Sequence, residues 1–194
     1  MKKLSITLCA LFLTGLAAHA DGKEKRWQLQ LGVARPLSSS GKTFLGDSPA
    51  SSILSYDLGG FKEGTWGLYA QGVSKSRSYE NSAGDDVSSN EMAGGFGFQY
   101  RVRSASNPAL YYGVGVGIYS LSTSLSTSNT SGKTTTTMTT TTTSSDVLGG
   151  RLFVGQSFGR RYVAELAYTA TASPRLGTNK INPSNLSLGV GVRF

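Results

Sequence analysis

Residues 185–194 read NLSLGVGVRF. In an extended chain Leu186, Leu188, Val190, Val192 and Phe194 share one face, and Asn185, Ser187, Gly189, Gly191 and Arg193 share the other. A period of two marks a strand whose two faces meet different surroundings. The reading decides the fold class as all-β only if the rest of the chain repeats it, and it does. WQLQLGVA at 27–34 sets Trp27, Leu29, Leu31 and Val33 against Gln28, Gln30, Gly32 and Ala34. EMAGGFGFQY at 91–100 sets Met92, Phe96, Phe98 and Tyr100 against Glu91, Ala93, Gly95, Gly97 and Gln99. LYYGVGVGIY at 110–119 and YVAELAYT at 162–169 alternate in the same way, the second with Glu165 opposite Tyr162, Leu166 and Tyr168. Less regular alternation over 52–60, 65–74 and 146–158 brings the expected strands to eight, with Asp57 and Arg151 turned away from the leucines.

The connections alternate in length. GFKEG, RVRSASNP and GRR are short, whereas the segments that follow the first, third, fifth and seventh strands are long. This is the plan of an eight-stranded antiparallel up-and-down transmembrane β-barrel, with tight periplasmic turns and longer extracellular loops. Trp27, Trp66, Tyr100, Tyr112, Tyr162 and Phe194 lie beside the short turns or chain ends, where a periplasmic-side aromatic girdle belongs. Lys62, Arg101, Arg103, Arg160 and Arg161 are expected to cap the same rim. Past the first 20 residues no apolar run is long enough for a spanning helix, so a membrane position requires a closed barrel.

Residues 1–20 read as a cleaved signal peptide: MKK is a positive start, LSITLCALFLTGLAA an apolar stretch and AHA a small-residue cleavage site. The remainder, 21–194, is expected to be one barrel domain. With 25 glycines and only 15% charged residues, the composition of the whole chain is that of a β-rich protein and not of a helical bundle. Cys9 and His19 are the only Cys and His, and both leave with the signal peptide. Without thiol or imidazole there is no Cys–His or Ser–His nucleophile and no ordinary zinc site. No enzymatic activity, cofactor or metal is expected. The lack of a basic stripe with interleaved aromatics argues against nucleic acid.

Together these features resemble the small eight-stranded outer-membrane barrels of the OmpA/OmpX type. In that family an alternating last strand ending in Phe is the signal read by the barrel-assembly machinery, and Leu186, Leu188, Val190, Val192 and Phe194 match it here. Many relatives carry an aromatic two positions before the terminal Phe, where this chain has Val192. The resemblance implies Sec export to the outer membrane, with the lipid bilayer and lipopolysaccharide as surroundings. It also implies a non-enzymatic, envelope-structural or adhesion-like surface role. Two alternatives stand beside it: a narrow ion-conducting pore gated by interior salt bridges, and a secreted soluble lipocalin-like binding barrel. GTW at 64–66 mimics a lipocalin fragment, although it falls in the third strand and not near the first.

The inward face of such a barrel offers a charge network of Asp57, Glu91, Arg151, Glu165 and Arg193, beside Gln28, Gln30 and Gln99. Side chains nearly fill an eight-stranded interior and buried charges need partners, so these charges are expected to pair with one another. Distance from the nearest turn puts Glu91 and Arg151 at one mid-barrel height, with Glu165 and Arg193 lower on adjacent strands. In the loops, Lys42, Lys75, Arg77, Lys133, Arg175 and Lys180 mix with Asp47, Glu80, Asp85, Asp86 and Asp146, fit for a surface ligand or for plain solvation. The longest loop, about 121–145, is Ser/Thr-rich and holds TTTTMTTTTT at 134–143. Threonine favours strands and NTSGK at 129–133 supplies turn residues. Strands five and six are therefore expected to continue beyond the membrane as a hairpin with its tip at 129–133, so that deleting 121–144 spares the barrel. A disordered, solvated loop is the alternative.

Overall fold

The computed structural model describes residues 26–61, 64–82, 84–131 and 134–194. The expected signal peptide, Lys62 and Lys133 lie outside the described residues. In chain order the elements are β1 (Trp27–Pro36), α1 (Ser39–Leu45), β2 (Ala50–Phe61), β3 (Gly64–Glu80), β4 (Asp86–Arg103), β5 (Leu110–Ser131), β6 (Thr134–Thr143), β7 (Val147–Phe158), β8 (Tyr162–Thr171), β9 (Arg175–Leu176), β10 (Asn179–Lys180) and β11 (Asn185–Arg193).

Strands β1, β2, β3, β4, β5, β7, β8 and β11 pair antiparallel in that order. The ring closes where β11 returns to β1, with Gln28 opposite Arg193 and Pro36 opposite Asn185. The result is a closed eight-stranded barrel in which the ring itself has no free edge. Alternation sorts its two surfaces in the inverse of a water-soluble protein. Phe96 is 64% and Val190 66% exposed, with Val116, Leu152 and Leu188 also outside, whereas Arg151 is 2% and Glu165 3% exposed, with Gln28, Gln30 and Gln99 also inside. An apolar surface of this extent is made for contact with another apolar phase. Glycines on the inner face admit the tyrosines that fill the lumen. A methyl group at Gly95 or Gly149 would run into the Tyr119 ring, and one at Gly155 into Tyr111.

Above the ring the structure departs from the expected loops. Strands β3 and β4 stay paired as far as Glu80 opposite Asp86, so the expected second long loop shrinks to 81–85. Strand β5 runs on past Tyr119 with β4 on one side, as far as Asp86 opposite Ser128, and with β6 on the other. Strands β3 to β6 thus rise from one side of the barrel as a four-stranded sheet. The expected hairpin is present as the β5–β6 pairing, and residues 132–133 of its expected tip lie outside the described residues. Its returning arm, however, is a separate strand and not a simple extension of β7. Ser144 makes the break, donating from its backbone N–H to Leu121 O at 2.9 Å and accepting from Leu121 N at its hydroxyl, 2.8 Å.

The first long loop holds α1, which alternation gave no reason to expect. Its N-cap Ser38 accepts from Gly41 N at 2.8 Å, and Gly46, at φ 77°, ends the helix by donating to Lys42 O at 2.7 Å. Leu45, completely buried, packs with Ala34 and Val73 and against Phe44 and Ala93 over the barrel mouth. The Ser38 hydroxyl donates to Asn182 O at 2.6 Å, and Asn182 N donates to the Ser40 hydroxyl at 3.1 Å. Those bonds tie α1 to the last loop, which carries the small β9–β10 ribbon.

Candidate functional site

Two regions hold the chemistry: the lumen and the raised sheet. At mid-barrel Arg151 on β7 forms an ion pair with Glu165 on β8, each side chain 1% exposed. A second Arg151 nitrogen, Nη1, donates to Gln99 Oε1 at 3.1 Å, and the guanidinium carbon lies 4.7 Å from the Phe153 ring centre. Glu165 Oε2 accepts from the Tyr111 hydroxyl at 3.0 Å. Above this pair the Tyr69 and Tyr119 hydroxyls share a hydrogen bond of 2.8 Å, and Gln71 Nε2 donates to Thr169 Oγ1 at 3.1 Å.

Nearer the short turns, Arg101 pairs with Asp57 at 3.3 Å. Arg193 donates from Nε to Gln28 Oε1 at 2.8 Å and from Nη1 to Ser157 Oγ at 3.1 Å. The Arg101 and Arg193 guanidiniums each lie 5.0 Å from the Tyr111 ring centre. Tyr111 therefore joins two layers, with its ring among the lower arginines and its hydroxyl on the mid-barrel carboxylate. Side chains fill the interior of an eight-stranded barrel, and here hydrogen bonds and ion pairs cross-link its layers.

Of the five interior charges expected from the sequence, Arg151 and Glu165 meet each other. Asp57 and Arg193 are inside but paired otherwise than expected. Glu91 is the clearest correction. Gln99, not Glu91, stands level with Arg151, through Gly115. Glu91 lies about 26 Å further along β4, at the ~3.3 Å rise of a strand residue, where it accepts from Ser89 Oγ at 3.0 Å and faces Arg77 at 3.8 Å. Glu165 likewise takes Arg151 and not Arg193. Distance from a turn misled because barrel strands are tilted and because β3 and β4 outrun the ring. Arg101, expected on the rim, is 5% exposed and points inward. Its signal was parity with Gln99, and parity with the inner glycines likewise marks Tyr111 and Tyr119 as interior.

Trp27, Trp66, Tyr112 and Tyr162 are exposed on the outer surface near the short turns, with Tyr100 and Phe194 partly exposed beside them. Trp66 packs on Tyr100 with ring centres 4.8 Å apart, and Trp27 on Tyr56 at 4.7 Å. In the terminal strand Leu186, Leu188 and Val190 are exposed on the outer face, and Val192 follows in the same alternation.

The raised sheet is chemically different. Its β5–β6 pairing carries a ladder of hydroxyl bonds on one face: Ser124 with Thr141 at 3.0 Å, Ser126 with Thr139 at 2.8 Å and Ser128 with Thr137 at 3.0 Å. Its two side edges also differ. The β3 edge above Ser74 carries Lys75, Arg77 and Glu80, and Arg77 Nη2 donates to Thr43 O of α1 at 3.1 Å. The β6 edge, TTTTMTTTTT, has no charge, no proline and no glycine, and among the described residues only β5 pairs with it.

No protein-family model matches the chain, and no curated protein matches it in sequence. Among solved structures it resembles Ail, the attachment invasion locus protein of Yersinia pestis, in complex with the heparin analogue sucrose octasulfate. That likeness has a TM-score of 0.50 and 16% identity, over 89% of this chain and 100% of the Ail chain. The N-terminal β-barrel domain of Pseudomonas aeruginosa OprF is a looser likeness, with a TM-score of 0.38 and 13% identity over 88% of this chain and 98% of that one. At such identities the likeness speaks to fold alone. The fold is that of the small eight-stranded outer-membrane barrels of the OmpA/OmpX type.

Proposed function

We propose that this chain is a non-catalytic integral protein of the outer membrane that acts at the cell surface through its long-loop end. The observation that carries the reading is the division of the molecule: an apolar belt around a filled, charged lumen, surmounted by a raised polar sheet. The belt fits the hydrocarbon layer, the outward aromatics near the short turns fit the periplasmic interface, and the raised sheet then projects outside. Leu186, Leu188, Val190, Val192 and Phe194 act as the signal to the assembly machinery before they face lipid, and lipopolysaccharide surrounds the outer rim. The filled lumen and the Leu45 cap favour this role over a narrow pore.

For a surface ligand the reading favours an anionic polymer. Lys42 and Lys75 stand beside the mouth, and Arg175 faces Lys180 in the β9–β10 ribbon of the last loop. Glu80, Asp85 and Asp86 collect instead at the tip of the β3–β4 hairpin. Cations at this end attract polyanions, and more strongly at low salt. Because Ail was crystallised with a sulfated ligand, a sulfated polysaccharide is the first probe. The test has two arms. Fractionation of cells should recover the chain in the outer membrane, migrating faster on gels before boiling than after; recovery from the soluble periplasm would refute the location. Cells carrying Lys42→Ala, Lys75→Ala, Arg175→Ala and Lys180→Ala together should attach to heparin-coated surfaces several-fold less than wild type, and equal attachment would remove the ligand class. In planar bilayers, conductance abolished by Arg151→Ala would restore the pore.

A further inference from the structure

We infer that β6 is a homotypic docking edge, which pairs antiparallel with β6 of a second copy of this chain held in an opposing membrane. The inference rests on the proposed surface role and names a partner for it. A strand with one free side presents a row of unpaired N–H and C=O groups, and proteins guard such sides with lysine, proline, inward charges or a covering element. The raised sheet shows both treatments. Its β3 edge bears Lys75, Arg77 and Glu80 and is tied to α1 through Arg77 and Thr43. Among the described residues its β6 edge has none of these devices over 136–143, and those positions are exposed, Met138 at 74%.

The composition of the edge selects the occupant. Antiparallel self-pairing centred on Met138 puts threonine opposite threonine at every other rung, with no like charges brought together. It would repeat outward the hydroxyl rungs that β6 already makes inward with Ser124, Ser126 and Ser128. Because nine of the ten residues are identical, slipping the register by two costs little, so many registers contribute. Symmetry then fixes the arrangement. Two identical edge strands pair antiparallel about a two-fold axis perpendicular to the sheet, which reverses the direction of the hairpin. Two barrels in one membrane are related by an axis along the membrane normal, which leaves their projecting strands running the same way. The pairing therefore joins copies from facing membranes, and many weak pairs across a contact act together.

The full chain is incorporated in phosphatidylcholine vesicles, and clustering is followed by light scattering. Three forms are compared: wild type, Thr137→Lys/Thr139→Lys and Thr137→Glu/Thr139→Glu. All are first required to show heat-modifiable gel migration as evidence of a folded barrel. Pairing about Met138 sets residue 137 of one copy against residue 139 of the other. Wild-type vesicles should cluster, each charged variant alone should cluster at least about tenfold less, and the two variants mixed should recover clustering. Charged variants that cluster like wild type overturn the inference, as does a mixture that fails to recover. The same wild-type vesicles are offered heparin-coated beads. Binding to beads without self-clustering overturns the homotypic edge and leaves the surface role standing, whereas neither binding nor clustering counts against both.

Discussion

The two halves of β5 lie on one continuous strand and obey different rules. Up to Leu121 each position has one assigned surrounding: Tyr112, Val114, Val116 and Ile118 face outward, and Tyr111, Tyr119 and Leu121 are buried. From Ser122 onward both faces are mostly hydroxyl-bearing, and pairing with β4 and β6 continues without any such sorting. The lower half is held by closure and by a buried network; the upper half is held by backbone pairing and a hydroxyl ladder. A belt in hydrocarbon demands both a sorted surface and a complete ring, while a sheet in water demands neither. The price of that freedom is an open edge.

The sharpest way to break the comparison is to attack the network. Arg151→Ala leaves Glu165 buried without its cation, and loss of one partner of a buried pair costs about 3–5 kcal/mol. Urea unfolding of the reconstituted barrel should show that loss. The double variant Arg151→Met/Glu165→Leu should recover much of it, though not all, because the Tyr111 hydroxyl loses its acceptor, worth about 1–3 kcal/mol. If Arg151→Ala unfolds like wild type, the lumen is not what holds the lower half.

The next effect compares the halves directly on a single strand. Val116→Arg places a charge in the middle of the outer belt and should cost about 2–4 kcal/mol in a bilayer. Ser126→Arg on the same outer face, above the belt, removes one hydroxyl rung and should cost no more than about 1 kcal/mol. Equal costs measured by unfolding in lipid would mean that the belt does not end where the polar face begins. Excision gives the same contrast more coarsely. Deleting 121–144 now looks too greedy, since Leu121 is fully buried and bonded to Ser144. Replacing 123–142 by Asn-Gly joins Ser122 to its partner Thr143 through a favoured hairpin turn. It should leave barrel stability within about 1 kcal/mol of wild type while abolishing vesicle clustering.

The difference between the halves also explains what could be read from the sequence. In the ring, alternation is imposed by two unlike environments, so Leu186 to Phe194 or Trp27 to Val33 announce both strand and facing. The same parity sets Tyr111 opposite Leu110 and Tyr112, and it puts Arg101 inside with Gln99, although Arg101 also lies beside a short turn where a rim cation belongs. The pairing of Glu91 was not legible, because which residues stand level across a tilted sheet depends on shear, and shear leaves no trace in a single strand. Above the ring, threonine propensity announced a hairpin but could not say where β6 would break from β7, since the break at Ser144 is a local hydrogen-bond choice. The helix α1 was missed although Ser38 and Gly46 are ordinary cap residues, because a seven-residue helix has little periodicity to show.

The smallest predicted effect bears most directly on how the two halves are joined. Thr139→Ala removes one rung of the ladder, the 2.8 Å bond to Ser126, at an exposed site where water replaces it. A cross-strand pair of this kind is worth about 0.2–1 kcal/mol. Since β6 is bonded on one side only, that loss should appear as faster hydrogen exchange at its own amides and those of β5 from Ser122 upward. The amides of β7 and β8, which belong to the closed ring, should exchange as in wild type. If they too exchange faster, the break at Ser144 transmits strain and the raised sheet is part of what stabilises the ring. If even the β6 amides are unchanged, the ladder is ornamental and backbone pairing alone holds the hairpin, which would make its free side the dominant feature of the strand.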